Sequence, residues 1–236
     1  MLFSALPDAQ GLYDPDNESD SCGVAMVTDI QGRRSHSIVA DGLTALEHLE
    51  HRGAAGAEPN SGDGAGILIQ LTTELLAAVV DFELPTPAKD GTNPFAAGIC
   101  FLPQDLTERA AACQMVQDIA DEEGLQVLGW REVPLDHSKI GKDAREVCPK
   151  IAQVFIGMGP DIKDAAHLER KLFVVRKTLE HSVNDSGLTE DQADQFYICS
   201  MSCNTIVYKG LLMAHQIADF YLDLQDEDLV SAFALV

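Results

Sequence analysis

Cys22 is the residue of the chain best suited to catalysis. It is followed by Gly23 and an alternating apolar run. If the peptide bond after Ser21 is cut, Cys22 carries both a nucleophilic thiol and a free α-amine. The reference pKa of an α-amine is about 8 and that of a cysteine thiol about 8.5, so the amine can accept the thiol proton at neutral pH. One residue would then supply both the nucleophile and the general base of a hydrolase.

Residues 1–21 have the composition of a segment that is removed on maturation. They contain Gly11 and Pro15 and no periodic apolar pattern, which is typical of an irregular, solvated segment. Their acidic residues are Asp8, Asp14, Asp16, Glu18 and Asp20. A secretory signal needs a basic start and a long apolar stretch, and this leader has neither. We therefore expect a cleaved leader over residues 1–21 and a cytoplasmic location.

The composition predicts a globular protein with a substantial core. The chain has 236 residues, of which 46% are hydrophobic and 23% are charged. The formal net charge of -22 repels phosphate backbones, which argues against a nucleic-acid partner. No apolar run is long enough to span a membrane. Without a secretion signal, the six cysteines are expected to be reduced thiols.

Apolar periodicity predicts a single α+β domain over residues 22–236, with Cys22 at the start of its first strand. Strands are predicted at 23–28, 67–71, 96–102, 125–133, 151–156, 196–201, 205–208 and 229–236. Helices are predicted at 37–51, 74–80, 105–123, 164–183 and 211–219, and residues 134–149 form a mixed loop. A buried strand is an unusual last element for a complete domain, so we expect C-terminal truncation.

Two other patterns could suggest chemistry, and both have simpler explanations. Gly62, Gly64 and Gly66 are spaced like a phosphate-binding loop, but no Lys-Ser/Thr follows and the next element is a predicted strand. His48 and His51 are three apart on a predicted helix without a third ligand, which favours helix-end histidines. The cysteines lack the paired spacing of a zinc or iron–sulfur site. We expect no metal or cofactor in this segment.

Several segments together resemble the glutamine amidotransferase domain of the glutamate synthase family. They are Cys22-Gly23-Val24, Asp41-Gly42-Leu43, His51-Arg52-Gly53-Ala54, Gly62-Asp63-Gly64-Ala65-Gly66 and Thr205-Ile206-Val207-Tyr208-Lys209-Gly210. The His-Arg-Gly element is shared with class II amidotransferases broadly, whereas the last two segments are more particular to glutamate synthases. The resemblance covers residues 22–236. It implies an N-terminal-nucleophile hydrolase fold, a four-layer αββα sandwich, matured at Cys22 by self-cleavage.

The resemblance also implies a reaction and its partners. The Cys22 thiolate would attack the side-chain amide of L-glutamine, ammonia would leave, and water would cleave the thioester to give glutamate. In whole enzymes of the family, the ammonia reaches downstream synthase domains that carry FMN and a 3Fe-4S cluster. There 2-oxoglutarate is converted to glutamate, with electrons from an FAD/NADPH small subunit or from ferredoxin. None of these cofactors is assigned to this segment.

Two further residues are candidate supports for the site. By the resemblance, Arg52 lies near Cys22, where a positive charge favours the thiolate. Considered alone, it would neutralise the last carbonyls of a helix. Asp63, flanked by glycines, either belongs to a loop over the site or bonds its own backbone in a turn, and the turn is favoured.

The sequence also departs from the family pattern. Asn204 stands where relatives usually carry arginine, which puts a local salt bridge in doubt. Neither the Asn-Gly pair that stabilises the oxyanion nor the Ser-Arg-Phe segment that holds the substrate carboxylate occurs. Losing one oxyanion donor costs about a hundredfold to a thousandfold in rate, so these 236 residues alone are expected to have little glutaminase activity.

Two other functions stay open on sequence grounds. The chain could be another cysteine N-terminal-nucleophile hydrolase that acts on a different amide. It could also be a non-catalytic structural or interaction fragment in which Cys22 remains acylated by its leader.

Overall fold

The computed structural model describes residues 23–52, 60–87, 93–185 and 196–236. The predicted leader and Cys22 therefore lie outside the described residues, as do Gly53 and Ala54 of the His-Arg-Gly element. Gly23 is the described residue next to Cys22 in the chain.

The strands of the described chain form two antiparallel four-stranded sheets. They are β1 (Met26–Thr28), β2 (Ala65–Gln70), β3 (Phe95–Leu102), β4 (Gln126–Glu132), β5 (Lys150–Gly157), β6 (Tyr197–Ser202), β7 (Thr205–Gly210) and β8 (Phe233–Leu235). The first sheet has the order β1-β8-β2-β7 and the second β4-β5-β3-β6. Strand β8 lies between β1 and β2, because Leu235 pairs with both Met26 and Leu68.

Helices contact both sheets. They are α1 (His36–His48), α2 (Thr73–Val79), α3 (Leu106–Glu122), α4 (Lys142–Val147), α5 (Ala165–Asp185) and α6 (Gln216–Phe220). Helix α1 contacts β1, β2 and β8 of the first sheet. Helix α3 contacts β4 of the second sheet, and α5 contacts β6. The two sheets meet where strand β7 contacts β3 and β6. This helix–sheet–sheet–helix order confirms the predicted α+β class and agrees with the αββα arrangement.

Strand β3 shows how the core is divided. Phe95, Ala97 and Ile99 pack in a buried cluster that joins both sheets and α1. The alternate residues Cys100 and Leu102 pack in a second cluster with α3 and α5. Since successive side chains of a strand point to opposite faces, β3 is buried on both sides. A strand buried on both faces is apolar throughout, which explains why β3 reads as a continuous apolar run.

Capping residues determine where α3 begins and ends. The Asp105 carboxylate accepts hydrogen bonds from the backbone N–H groups of Thr107 and Glu108, at 2.8 and 3.0 Å. These bonds satisfy donors that have no partner within the helix. Gly124, with a φ of 75°, follows the last turn in the left-handed conformation that stops a helix. The predicted helix over 105–123 is therefore confirmed.

The predicted mixed loop at 134–149 is wrong in part, because it contains α4. This helix has only six residues and its burial is slight, so it produces too little periodicity to be recognised in the sequence. Gly141 precedes it and Pro149 follows it closely. The two residues bound the helix but could equally bound a loop.

The predicted elements near the C-terminal end of the chain are too long. The helix predicted at 211–219 is reduced to α6, because the buried Gln216 side chain accepts from Met213 N at 2.8 Å and holds the preceding residues in a turn. The strand predicted at 229–236 is reduced to β8. There the Ser231 side chain accepts from Gln70 N at 3.0 Å and takes the place of a ladder bond.

The strand predicted at 23–28 begins later, at Met26. Its pairing nevertheless extends further, since Ala25 and Val236 exchange two backbone hydrogen bonds of 2.9 Å. None of the helices in the described ranges combines the length and apolar composition that crossing a bilayer requires.

Candidate functional site

Two segments that are far apart in sequence lie side by side in the first sheet. The register of β2 and β7 pairs Ala65 with Gly210, Gly66 with Lys209 and Ile67 with Tyr208. The glycine-rich loop at 62–66 therefore meets the Tyr-Lys-Gly segment directly. The two motifs form one structural unit.

Small residues are required where these segments meet. A Cβ atom on Gly62 would lie 2.6 Å from Leu212 O, and one on Gly66 would lie 2.7 Å from Lys209 Cβ. Gly64 has a φ of 143°, a conformation that other residues rarely adopt. The glycines thus allow a close approach of two backbones, and a phosphate ligand is not needed to explain them.

A cavity of about 680 Å³ opens beside this unit. We call it the glycine-loop cavity; its lining includes Gly23, Val24, Gly66, Leu68, Lys209 and Leu235. Gly23 directly follows Cys22 in the chain. The cavity has a volume typical of a small-molecule site.

A second cavity, of about 770 Å³, lies next to α4. This α4 cavity is lined largely by apolar residues, including Ala144, Val147 and Cys148. Both cavities share the wall residues Phe101, Tyr197, Lys209, Gly210 and Leu211. The cavities are therefore neighbours across β7 and the adjoining second sheet.

Lys209 is held at this shared wall. Its Nζ donates a hydrogen bond of 2.7 Å to Tyr197 Oη and lies 4.5 Å from the centre of that ring. The Tyr197 ring in turn lies 5.9 Å from the Phe101 ring. The ammonium group is thus positioned by residues of the second sheet, although Lys209 belongs to the first.

A buried polar network supports Tyr208, the residue before Lys209. The Tyr208 hydroxyl donates to Asp223 at 3.1 Å, and the Arg131 guanidinium donates two bonds to the same carboxylate, at 2.7 and 2.8 Å. Arg131 also donates to Gln153 Oε1 at 2.7 Å. Burial, together with the Asp223 carboxylate, raises the pKa of Tyr208 well above its usual value, so it stays a donor at neutral pH. The network joins β4 and β5 of the second sheet to β7 of the first.

The predicted site residues are only partly described. The backbone of Arg52 lies in a 3-10 turn, Glu50–Arg52, that follows α1, and its side chain is outside the described part. Asp63 is exposed at a bend between Gly62 and Gly64. The structure brings Gly23 to the glycine-loop cavity, while the catalytic role of Cys22 and the supporting roles of Arg52 and Asp63 stay predictions.

The histidine pair has a local hydrogen bond. His51 Nδ1 donates to His48 O at 3.0 Å. Among the described residues, no group of three or more His, Cys, Asp or Glu side chains could hold a metal ion. These side chains therefore do not fit an iron–sulfur cluster.

The described cysteines are poor nucleophiles. Burial raises the pKa of Cys199 to about 12, and burial with the Glu169 carboxylate raises that of Cys203 to about 12. Burial also raises the pKa of Cys100, Cys113 and Cys148. Since the thiolate is the reactive form, the raised pKa lowers the reactivity of these thiols near neutral pH. Cys22 is the remaining cysteine of the chain and lies outside this set.

Asn204 has a clear structural role. Its Nδ2 donates to Glu169 Oε1 at 3.0 Å, and the same oxygen accepts from Ser202 Oγ and Cys203 N, both at 2.7 Å. Glu169 on α5 is thus held by neutral donors from the β6–β7 turn. An arginine at 204 would add a charge to this contact, but the contact does not depend on one.

Sequence reasoning missed two groups of residues. Tyr197, which holds Lys209, lies in the strand predicted at 196–201 and belongs to no motif. The buried Arg131 and Asp223 are far apart in sequence and carry no motif. A charged residue inside a predicted strand, as at Arg131, was the one available signal, because a buried charge requires a partner.

Comparison with known proteins identifies relatives of the chain. The sequence profile of the class-II glutamine amidotransferases matches residues 22–236. The glutamate synthase [NADPH] large chain of Bacillus subtilis (strain 168) is 43% identical over 237 residues, covering 100% of this chain and 15% of that protein. Ferredoxin-dependent glutamate synthase 1 of Arabidopsis thaliana is 39% identical over 97% of this chain and 14% of its own length. The glutamate synthase [NADPH] large chain of Azospirillum brasilense is 34% identical over 94% of this chain and 14% of its own length.

Proposed function

Because the chain belongs to the class-II glutamine amidotransferases, whose domain hydrolyses glutamine to glutamate and ammonia, we propose that Cys22 is the nucleophile of a glutaminase site at the glycine-loop cavity. One observation carries the proposal. Gly23, the residue after Cys22, lines the same cavity as the glycine-rich loop and the Tyr-Lys-Gly segment. The backbone bonds between Ala25 and Val236 anchor the chain three residues after Cys22.

The chemistry follows from one residue with two functional groups. The α-amine of Cys22 takes the thiol proton, and the thiolate attacks the side-chain amide carbon of glutamine. The resulting oxyanion collapses to a thioester as the protonated amine gives its proton to the departing ammonia. Water then attacks the thioester, which releases glutamate and restores the thiol.

Removal of residues 1–21 is part of this proposal. Before cleavage the nitrogen of Cys22 is an amide, which cannot accept a proton at neutral pH. The precursor should therefore lack glutaminase activity. A positive charge at Arg52 would favour the thiolate after cleavage, and Asp63 would shape the loop beside the cavity.

The longer relatives suggest the wider context. The chain spans about one seventh of the length of the relatives it matches, at 13 to 15%. We propose that the full-length protein supplies the oxyanion asparagine and the substrate-binding arginine beyond Val236. Ammonia would then reach synthase domains that bind FMN and a 3Fe-4S cluster. The relatives' names include both NADPH and ferredoxin as the electron donor, and neither is assigned to this chain.

The alternatives from the sequence are less well supported. The family acts on glutamine, which disfavours a different amide as the substrate. A purely structural role for the chain does not explain why the residue after Cys22 lines a cavity of substrate size. A cytoplasmic location, inferred from the leader composition, also belongs to this proposal.

The test uses the full-length protein purified from its native cell. Its N-terminal peptide should begin at Cys22, and a diazoketone analogue of glutamine should label that residue. The Cys22→Ser variant should lose labelling and glutaminase activity. Cys148→Ser is a matched control, because Cys148 lines the neighbouring α4 cavity and burial raises the pKa of its thiol. A mature protein that begins at Met1, or labelling that persists in Cys22→Ser, would contradict the proposal.

A further inference from the structure

The glycine-loop cavity has a cationic side chain, that of Lys209, at its wall. Among its described lining residues, Lys209 alone carries a charge, and the others are glycines, aliphatic side chains, Phe101 and Tyr197. The stem of Lys209 packs directly against Gly66, since a Cβ added to that glycine would lie 2.7 Å from Lys209 Cβ. The ammonium group therefore lies at the wall of a space of substrate size.

Lys209 is positioned there without a counter-charge. Its hydrogen-bond acceptor is the neutral hydroxyl of Tyr197, at 2.7 Å. The ion pairs among residues 23–52, 60–87, 93–185 and 196–236 do not include Lys209. An ammonium group has three donors, and a partly buried cation favours an anionic partner.

We propose that Lys209 binds the α-carboxylate of glutamine and is a specificity-determining residue of the site. The inference rests on the proposed function, which supplies a substrate that carries a carboxylate. It adds a contact from within the described chain to the arginine that the family resemblance implies. Tyr197 acts as a positioning residue, because its hydroxyl holds the ammonium group at the cavity wall.

A competing role for Lys209 makes a different prediction. A cation close to Cys22 could instead favour the thiolate by lowering the thiol pKa. It would then accelerate the reaction of Cys22 with every thiol reagent. A carboxylate-binding role affects only reagents that carry a carboxylate.

The experiment compares two reagents on the full-length protein. One is 6-diazo-5-oxo-norleucine, a glutamine analogue with an α-carboxylate, and the other is iodoacetamide, which is neutral. In Lys209→Met the rate constant for labelling by the analogue should fall about tenfold to hundredfold, as expected for a lost charge-assisted hydrogen bond. The rate constant for alkylation of Cys22 by iodoacetamide should stay within about twofold of the wild-type value, the change expected from weak surface electrostatics.

Further variants keep the test decisive. Lys209→Arg retains the charge and should restore most of the labelling by the analogue. Tyr197→Phe keeps the lysine but removes its anchor, so it should give a smaller loss. If Lys209→Met does not fold, Lys209→Gln keeps a polar side chain of similar length without the charge and should show the same selective fall.

The outcomes separate the two proposals. Equal falls with both reagents, or no fall with either, would overturn the role of Lys209 while leaving the glutaminase site in place. If the wild-type protein is not labelled by the glutamine analogue at all, the proposed function fails, and this inference fails with it.

Discussion

At the scale of single residues, Gly66 and Lys209 face each other across two strands with no room for a methyl group. They are paired in the β2–β7 register, and an added Cβ on Gly66 would lie 2.7 Å from Lys209 Cβ. The stem of Lys209 is also held at its far end by Tyr197. A side chain at position 66 must therefore displace either the lysine or a strand.

Gly66→Ala tests this dependence. We expect the free energy of unfolding to fall by about 1–3 kcal/mol, the usual cost of overpacking a well-packed site. In the full-length protein, the substitution should also slow labelling by the glutamine analogue severalfold, because Lys209 moves.

The control for this prediction is Gly210→Ala in the adjacent pair. An added Cβ there would lie 3.3 Å from the flexible Leu212 side chain, so the loss of stability should be smaller. Equal stability of Gly66→Ala and wild type, measured by chemical denaturation, would show that the strands can separate at little cost.

Local motifs in the sequence carry enough signal to identify the family, while the roles predicted for Cys22, Arg52 and Asp63 stay predictions. The segments around Cys22, Gly62 and Tyr208 were sufficient to recognise the family. The role of Lys209 could not be predicted, because it depends on a strand pairing between distant segments and on Tyr197 of another sheet. Pairing of this kind is a tertiary property that no local pattern encodes.

At the scale of elements, α1 packs on the first sheet through a glycine in the middle of the helix. An added Cβ on Gly42 would lie 2.5 Å from Ala234 Cβ and 3.3 Å from Ile67 Cδ1. Gly42 lies inside the helix predicted at 37–51. The absence of a side chain at Gly42 lets the helix lie close against β8, where Ala234 is fully buried.

Two effects compete in Gly42→Ala. Alanine favours the helix by about 1 kcal/mol over glycine, whereas a contact this short costs about 1–3 kcal/mol to relieve. Because Ala234 has a short side chain without other rotamers, we expect the steric cost to win and the free energy of unfolding to fall by up to about 2 kcal/mol.

A double variant checks the cause of that loss. Ala234→Gly removes the opposing methyl group, so combining it with Gly42→Ala should cost less than the sum of the single changes. Strictly additive losses in a double-mutant cycle would mean that the two residues do not interact and that the close packing is not responsible.

Element prediction was accurate for long periodic segments and poor for short ones. Helices α3 and α5 and strands β3 and β5 have strong patterns and were found nearly in full. Helix α4 was missed, and β8 was predicted too long, because side-chain bonds of Ser231 replace strand pairing there. Short elements are determined by such tertiary contacts more than by their own periodicity.

At the scale of the whole molecule, the buried ion pair of Arg131 and Asp223 links β4 of the second sheet to Tyr208 on β7 of the first. The side chains of Arg131 and Asp223 are 12% and 5% exposed, so water screens their attraction weakly. Tyr208 and Gln153 complete the hydrogen bonding of the pair. The network determines how β7, with Lys209, lies against the second sheet.

Asp223→Ala should be severely destabilising. It leaves the buried guanidinium of Arg131 without its counter-charge, and breaking such a pair costs about 3–5 kcal/mol. Guanidinium chloride unfolding gives the measurement.

The matched variant removes both charges. Arg131→Met combined with Asp223→Leu should be clearly more stable than Asp223→Ala, because no unpaired charge remains. A loss below about 1 kcal/mol for Asp223→Ala would indicate that Arg131 finds another partner or reaches water.

The position of β8 also decides the order in which the molecule can be assembled. Within the described residues, β1 pairs only with β8, and Thr28 Oγ1 donates to Ala232 O across 204 positions of sequence. Contacts of such long range form late, because the entropy of closing a large loop must be overcome first. During synthesis β1 therefore stays unpaired until β8 has been made, whereas the second sheet, β4-β5-β3-β6, can form earlier. The residue that follows Cys22 acquires its place only when the chain has been made as far as β8, so under the proposed function cleavage before Cys22 would have to follow the synthesis of β8.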